Sequence, residues 1–323
     1  MNKLQAIETM NRMGEKRSPF FFLIDYKAQN CLIDTAQNAF QQGILFNFES
    51  QSNYSEEQKI LTDIKLTKKN IPFNTYKTAY NQIIGQLNKG NSYLVNLTFS
   101  TPVECNVELA QIFHSAKARY RLLFKNSFVV FSPETFIKIE DGKISTYPMK
   151  GTIDAKLPNA QSQILNNKKE MAEHATIVDL LRNDLSRVAN NVSVERFRYI
   201  EKIVASDQEL LQVSSKITGT LPSNYYNKLG NIVFDMLPAG SISGAPKPKT
   251  IEIINNTENH QRGFYTGIAG YFDGNKLNSC VLIRFIENQN GQLFYKSGGG
   301  ITTQSDAKTE YNELLKKIYV PIA

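Results

Sequence analysis

Asp141-Gly142 stands between two β-rich runs, Thr135 to Glu140 and Lys143 to Pro148. A two-residue turn of this kind commits the chain to an antiparallel hairpin. No other feature of the sequence restricts the fold as much, and the same hairpin delivers a lysine at its open end, in Pro148-Met149-Lys150-Gly151-Thr152. If the pairing that sets Lys143 against Glu140 continues, Glu134 falls opposite Met149 and beside Lys150. A carboxylate and an amine then meet. An ammonium at its ordinary pKa is no nucleophile; burial or neighbouring cations must remove its proton, while a nearby acid can protonate a departing oxygen. The plain alternative is a solvated strand-end lysine with Glu134 as its ion-pair partner.

A chain of 323 residues with 41% hydrophobic content can bury a large core. One domain over 1–323 is expected, with a shorter sheet-forming part over 1–75 and the main body over 76–317. The formal charge of +7 comes from scattered lysines, which favours anionic small ligands weakly and a nucleic-acid surface less still. Cys31, Cys105 and Cys280 are far apart and argue against a zinc site or a disulfide framework and for a reducing compartment, the cytoplasm. Phe20-Phe21-Phe22-Leu23-Ile24 is too short for a membrane span.

Along the chain, Phe20 to Asp25 and Gly43 to Phe48 read as strands. Tyr76, Tyr80, Ile83, Ile84 and Leu87 recur at helical spacing and stop at Gly90. Ser92 to Ser100 alternates, with Tyr93, Val95, Leu97 and Phe99 on one face and Leu94, Asn96 and Thr98 on the other. A helix near Val107 to Ala118 leads to a strand from Arg121 to Phe131. The polar stretch Asp154 to Asn167 has no apolar period and reads as a mobile cover for the lysine. From Lys169 to Val188 the spacing of Met171, Ala175, Val178, Leu181, Leu185 and Val188 gives a helix face, and Glu170 and Glu173 project together from its first turn. Acidic residues there also suit the helix dipole.

Ile203 to Gly219 has strand and turn character, and Ser223 to Met236 reads as a helix. Gly240 to Lys247, with Ser241, Ser243 and Pro246, reads as an anion cradle ahead of the next helix, or as plain capping. Gly263 to Phe272 and Leu277 to Glu287 form a second hairpin around Asp273-Gly274-Asn275, in which Tyr265 faces Leu282 or Arg284. A phenol beside a guanidinium can bind a carboxylate. Gln292 to Ser297 runs into Gly298-Gly299-Gly300, where positive φ and close backbone approach are available. The last helix buries Tyr311, Leu314, Leu315 and Ile318 and carries Glu310, Glu313 and Lys317 alongside, with Glu313 and Lys317 spaced for an ordinary helix ion pair.

Together, two helices each offer a glutamate pair, enough oxygen ligands for a Mg²⁺ ion that keeps room for substrate oxygens. The basic and hydroxyl residues supply partners for further carboxylates. The ligand these features suit is a small polyanion.

Ser132-Pro133-Glu134, PMKGT at 148–152, AEHATIVDLLRNDLSRV at 172–188, PAGSISGAPK at 238–247, RGFYTGIAGYFDG at 262–274, VLIRFI at 281–286 and SGGGITTQSDAKTEYNEL at 297–314 resemble the chorismate-utilising enzymes. The likeness runs from about residue 76 to 317. It implies an α+β fold of two large antiparallel sheets packed as a sandwich with helices outside. The branch it is most similar to is the aminodeoxychorismate synthase component I group. There the lysine of the P-x-K-G-T motif attacks ring carbon 2 of chorismate and expels the 4-hydroxyl, and ammonia then enters at carbon 4. The resemblance makes Lys150 the nucleophile and Glu134 the acid/base. It also makes Glu173 and Glu313 ligands of Mg²⁺, with Glu170 and Glu310 reaching the ion through water. Tyr265, Arg284, Gly299 and Lys317 match residues that hold substrate carboxylates, and Ser241 a hydroxyl that touches substrate.

Two positions depart from the family pattern. Leu94 replaces the lysine that activates water in isochorismate synthases, and Leu211 is read as replacing a histidine tied to later steps in anthranilate synthases. No cysteine sits in a glutaminase-type nucleophile turn, so the expected ammonia donor is a separate glutamine amidotransferase subunit. The rival readings are anthranilate or isochorismate synthesis, or a non-catalytic protein that binds chorismate or another polyanion.

Overall fold

In the computed structural model the described residues are 1–55, 63–205 and 208–322. They form two nine-stranded sheets, antiparallel at every pairing described. The first runs in the order Met149–Asp154, Gln208–Thr220, Lys143–Thr146, Thr135–Glu140, Leu277–Val281, Ile268–Phe272, Phe20–Ile24, Cys31–Asp34, with Asn190–Ala205 also paired to Gln208–Thr220. The second runs Gly244–Ala245, Leu94–Cys105, Gln292–Ile301, Phe285–Gln289, Phe128–Ser132, Tyr120–Phe124, Ile44–Phe48, Gln51–Ser52, with Leu66–Lys68 also on Leu94–Cys105.

The continuous apolar runs follow from this layering. In Phe20–Ile24, Phe21 and Leu23 point into the core between the sheets, while Phe20, Phe22 and Ile24 face the helices outside. Phe128 and Val130 join the same inner core, and Val129 and Phe131 face outward under a different helix. A strand covered on both faces has no polar side to show, so alternation disappears from its sequence. The helices Lys3–Glu15, Lys168–Ser186 and Leu229–Asp235 cover the first sheet, and Phe73–Asn88, Leu109–Ser115, Lys247–Thr257 and Ala307–Lys316 cover the second. The fold is the expected α+β sandwich. No helix among the described residues is long and apolar enough to cross a membrane. All three cysteines are free.

Several expected elements change. The helix Lys3–Glu15, with a capping box between Asn2 and Gln5, lies in a part read as sheet alone. Arg121 to Phe131 is two strands joined by a turn at Lys125, whose φ is positive. Ala160–Asn166 is helical within the stretch expected to lack structure. Ser223 to Met236 divides into a 3₁₀ turn, Tyr225–Lys228, and a short helix, Leu229–Asp235. Ile203 to Gly219 belongs to a long hairpin that begins at Asn190; its residues 206–207 lie outside the described residues. The buried stripe of Lys168–Ser186 starts at His174 rather than at Met171, which is 44% exposed.

The two hairpins break in informative places. Lys143 does pair with Glu140 and Ser145 with Lys138, but after Thr146 the chain leaves that partner, and Met149 pairs with Ser214 instead. Glu134 is therefore not opposite Met149. The second hairpin pairs Ile268 with Val281, then Leu282–Arg284 crosses between the layers and Phe285–Gln289 continues in the other sheet. Arg284 sits at that crossing with φ 55°.

Candidate active site

One cavity of about 530 Å³ opens where the ends of both sheets meet the helices Lys168–Ser186 and Ala307–Lys316. Lys150, Glu134, Ser241, Tyr265, Arg284, Gly299 and Lys317 line it, as do Glu170, Glu173 and Glu313. Sequence-distant residues are thus gathered at one place. Glu310 is not part of that lining, but it reaches the same cluster through Lys169.

Lys150 is aimed by a backbone irregularity. The register shifts between Met149 and Thr152, and a bulge of this kind redirects a side chain out of the ladder. Gly151 has φ 90°, and a Cβ there would stand 3.4 Å from Glu170 Oε2. Glycine is the residue that accepts such a φ without strain. The ammonium of Lys150 lies 2.7 Å from Glu173 Oε2. Its expected neighbour Glu134 is replaced by Glu173, because the strand that carries Lys150 pairs with Gln208–Thr220. Burial pulls the Lys150 pKa down, but Glu173, Glu313 and Glu170 outweigh it and hold the amine above its usual range.

Glu134 occupies the opposite situation. Ser241 Oγ donates a short hydrogen bond to its carboxylate, and its backbone N–H donates to Ser132 Oγ at 3.1 Å. Burial raises its pKa despite the opposing effects of Ser241, Arg284 and Lys317. The charged form is less favoured here than it is in water.

The four other glutamates form an acidic cluster laced with lysines. Asn167 caps the helix of Glu170 and Glu173 through the Glu170 N–H. Lys169 lies 3.6 Å from both Glu173 and Glu310 and so ties the two helices together. Lys317 is 2.7 Å from Glu313 and donates to the Gly298 carbonyl at 2.9 Å. The ordinary helix ion pair is therefore present as well. Burial raises the Glu170 and Glu310 carboxyls. Glu313 is held down at about 2, since Lys317 and Lys150 overcome its burial. Glu170 Oε2 is buried with no hydrogen-bond partner, a feature that a cation at this cluster would satisfy. Among the described residues no three of these side chains stand converged on one point as metal ligands; lysine ammoniums hold Glu173, Glu310 and Glu313.

On the cationic side, Arg284 Nε is buried without a partner. Burial lowers the Lys317 pKa, helped by Arg284 and opposed by Glu313. Burial raises the Tyr265 phenol. The three glycines do not use positive φ: they lie within Gln292–Ile301, paired to Thr98, Leu97 and Asn96. A Cβ at Gly298 would meet the Leu97 carbonyl at 2.6 Å, so close packing explains that glycine. A Cβ at Gly299 would instead point between Lys317 Nζ at 3.6 Å and Glu310 Oε2 at 3.7 Å.

The loop read as an anion cradle does something else. Gly244–Ala245 adds a strand to Leu94–Cys105, and a Cβ on Gly244 would strike the Leu94 carbonyl at 1.8 Å. Only the part around Ser241 reaches the cavity. Leu94 and Asn96 both line it, as their shared face predicts. Leu211 does not; Gln212 is the cavity-facing residue of that strand, because neighbours in a strand point to opposite sides. Lys169 and His174 escaped the reading of single residues. The first was legible as an i,i+4 partner of Glu173. His174 is buried, with Nε2 2.6 Å from Ser215 Oγ and a pKa lowered to about 4, chiefly by burial. Nothing in its local sequence signals that contact.

A sandwich of this topology with one cavity divided between carboxylates and cations defines an enzyme class, and the chain belongs to it: residues 4–323 match the chorismate binding enzyme family. A Haemophilus influenzae relative described as an uncharacterized PabA-like protein is 49% identical over 98% of this chain and 96% of its own length. Aminodeoxychorismate synthase component 1 of Escherichia coli is 30% identical over 91% of this chain, which spans 63% of that protein. In structure, the menaquinone-specific isochorismate synthase of E. coli superposes with a TM-score of 0.72 at 16% identity, covering 98% of this chain and 81% of the other. Anthranilate synthase component I of Streptococcus pneumoniae gives 0.65 at 23% identity, over 81% and 60%. These last two establish the fold.

Proposed function

We propose that this protein is the chorismate-converting component of an aminodeoxychorismate synthase, acting through a covalent adduct on Lys150. The observation that carries the reading is the pairing, across one cavity, of a bulge-directed lysine with a buried carboxyl whose pKa burial raises. The 30% identity with an E. coli protein of that name supports it.

In this mechanism Lys150 Nζ forms a bond to ring carbon 2, the ring electrons shift, and the bond from carbon 4 to its hydroxyl breaks. Glu134 gives its proton to the departing oxygen, so that water leaves rather than hydroxide. Ammonia then attacks carbon 4, the electrons shift back, the bond from Lys150 Nζ to carbon 2 breaks to release the neutral amine, and the new ammonium returns a proton to the Glu134 carboxylate. Lys150 becomes a nucleophile only when its contact with Glu173 is given up, since burial alone favours the neutral amine. Arg284, Tyr265 and Lys317 hold carboxylate, and Gly299 leaves room beside Lys317 for it. Glu173 and Glu313 would hold Mg²⁺, with Glu170 and Glu310 behind them; the ion supplies positive charge for substrate oxygens. Ammonia is expected from a glutamine amidotransferase partner. Leu94 in the cavity wall offers no base for water, which disfavours isochorismate as product.

The test is chromatography with mass detection of the products from chorismate, Mg²⁺ and an ammonium salt, with and without an added aminodeoxychorismate lyase. Production of p-aminobenzoate only with the lyase supports the proposal. Anthranilate or isochorismate would overturn the role given to Lys150, and absence of any product would favour a binding protein without turnover.

A further inference from the structure

Arg262 lies behind the cavity wall; its carbonyl accepts from the Tyr265 N–H at 3.0 Å, its guanidinium bonds to none of the side chains assigned to substrate, and three parts of that wall are tied to that guanidinium. It is 4% exposed. Nε and Nη2 grip Glu258 at 2.9 and 2.7 Å. Nη2 also donates to the Asn96 carbonyl at 2.7 Å, and Nη1 donates to the Ile242 carbonyl at 2.9 Å and to Thr266 Oγ1 at 3.4 Å. Asn96, Ile242 and Thr266 all line the cavity. Ile242 directly follows Ser241, the hydroxyl on Glu134, and Thr266 directly follows Tyr265.

The surroundings hold this fork in place. Glu258 accepts from the Thr98 N–H and Oγ1, both at 2.8 Å. Lys296 donates to the carbonyls of Gln261 and Arg262 at 2.8 and 3.1 Å and pairs with Glu287 at 2.8 Å. The Tyr26 ring lies under the guanidinium, 4.6 Å from centroid to carbon. Stability alone does not call for such an arrangement, because a buried ion pair can often be exchanged for apolar residues at no loss. What it supplies is geometry: a planar group with five donors can meet a carboxylate, two carbonyls and a hydroxyl at once, and an ammonium cannot.

We infer that Arg262 is a positioning residue, which fixes Ser241 against Glu134 through the Ile242 carbonyl and Tyr265 through Thr266. This rests on the reaction proposed above. The bond to Ile242 is shorter than that to Thr266, so its loss acts on the acid more than on substrate binding.

The experiment measures chorismate consumption, whatever product forms, by wild type and two variants whose folding is checked by circular dichroism. Arg262→Lys keeps the charge opposite Glu258 but cannot span the three acceptors; kcat is expected to fall at least tenfold, with KM for chorismate changed less than threefold. The double variant Arg262→Met, Glu258→Met removes both members of that buried ion pair, leaving Lys296 paired with Glu287, and is expected to show the same kcat loss in a folded protein. Wild-type kcat in either folded variant overturns the inference, and so does failure of both to fold, which would make the role structural. Wild type giving another product would sink the proposed function and leave this test standing; wild type consuming no chorismate would remove both.

Discussion

The two ends of the cavity use the same residue types with opposite outcomes. At one end a single carboxyl, Glu134, faces Arg284, Lys317 and a serine hydroxyl, and burial still wins, so its pKa is raised. At the other the Lys150 amine, in a cluster that also holds Lys169, faces Glu173, Glu313 and Glu170, and the carboxylates win over burial. The difference is one of number and distance. Contact at 2.7 Å with one carboxylate, backed by two more, outweighs desolvation, whereas the cations near Glu134 form no ion pair with it among those described. Both groups are moved toward their protonated forms, which suits the acid and holds the nucleophile in reserve.

Removing the amine should break the comparison most sharply. Lys150→Ala is expected to lower turnover by at least about 10³-fold, the scale of losing a nucleophile, while chorismate still binds in calorimetry; wild-type turnover would exclude Lys150 from the chemistry. Next comes Glu313→Gln, which takes one carboxylate from the acidic end. The Mg²⁺ concentration for half-maximal activity should rise by at least about tenfold and chorismate KM with it, measured by titrating metal into stripped protein.

A smaller effect should come from Gly299→Val, whose branches would enter the space between Lys317 and Glu310. KM should rise by about tenfold, the cost of overpacking a tight site, with little change in thermal stability, because Gly299 does not adopt the positive φ that its sequence made available. Ser241→Ala tests the other end and should lower kcat by no less than Arg262→Lys does, since it removes the contact that Arg262 positions. The protonated form of Glu134 is the active one, so activity is lost as pH rises through its raised pKa. Deleting a donor that favours the charged form moves that alkaline limb to higher pH. Arg284, Lys317, Tyr265 and Cys280 also face Glu134, and an unmoved limb in this variant would assign it to one of them.

Much of the fold was legible because period and turn chemistry are local. Asp141-Gly142 set the pairing of Lys143 with Glu140 correctly, and the face shared by Leu94 and Asn96 does line the cavity. What was not legible is where a strand changes partner. The run from Leu277 to Glu287 reads as one strand, yet it serves two sheets, because apolar residues satisfy either layer equally. For the same reason Met149 was assigned to the wrong neighbour. The site residues named from motifs gather around one cavity, but contacts such as Lys150 with Glu173 or Arg262 with Asn96 join residues distant in sequence, and no local pattern encodes them.

The most direct test of the covalent step is mass spectrometry of the protein incubated with chorismate and Mg²⁺ in the absence of any ammonia source, followed by peptide mapping. The account predicts a mass gain equal to chorismate less one water, on the peptide that carries Lys150, lost on addition of ammonium and absent from Lys150→Ala. An unmodified Lys150 in protein that turns chorismate over once ammonium is supplied would contradict it.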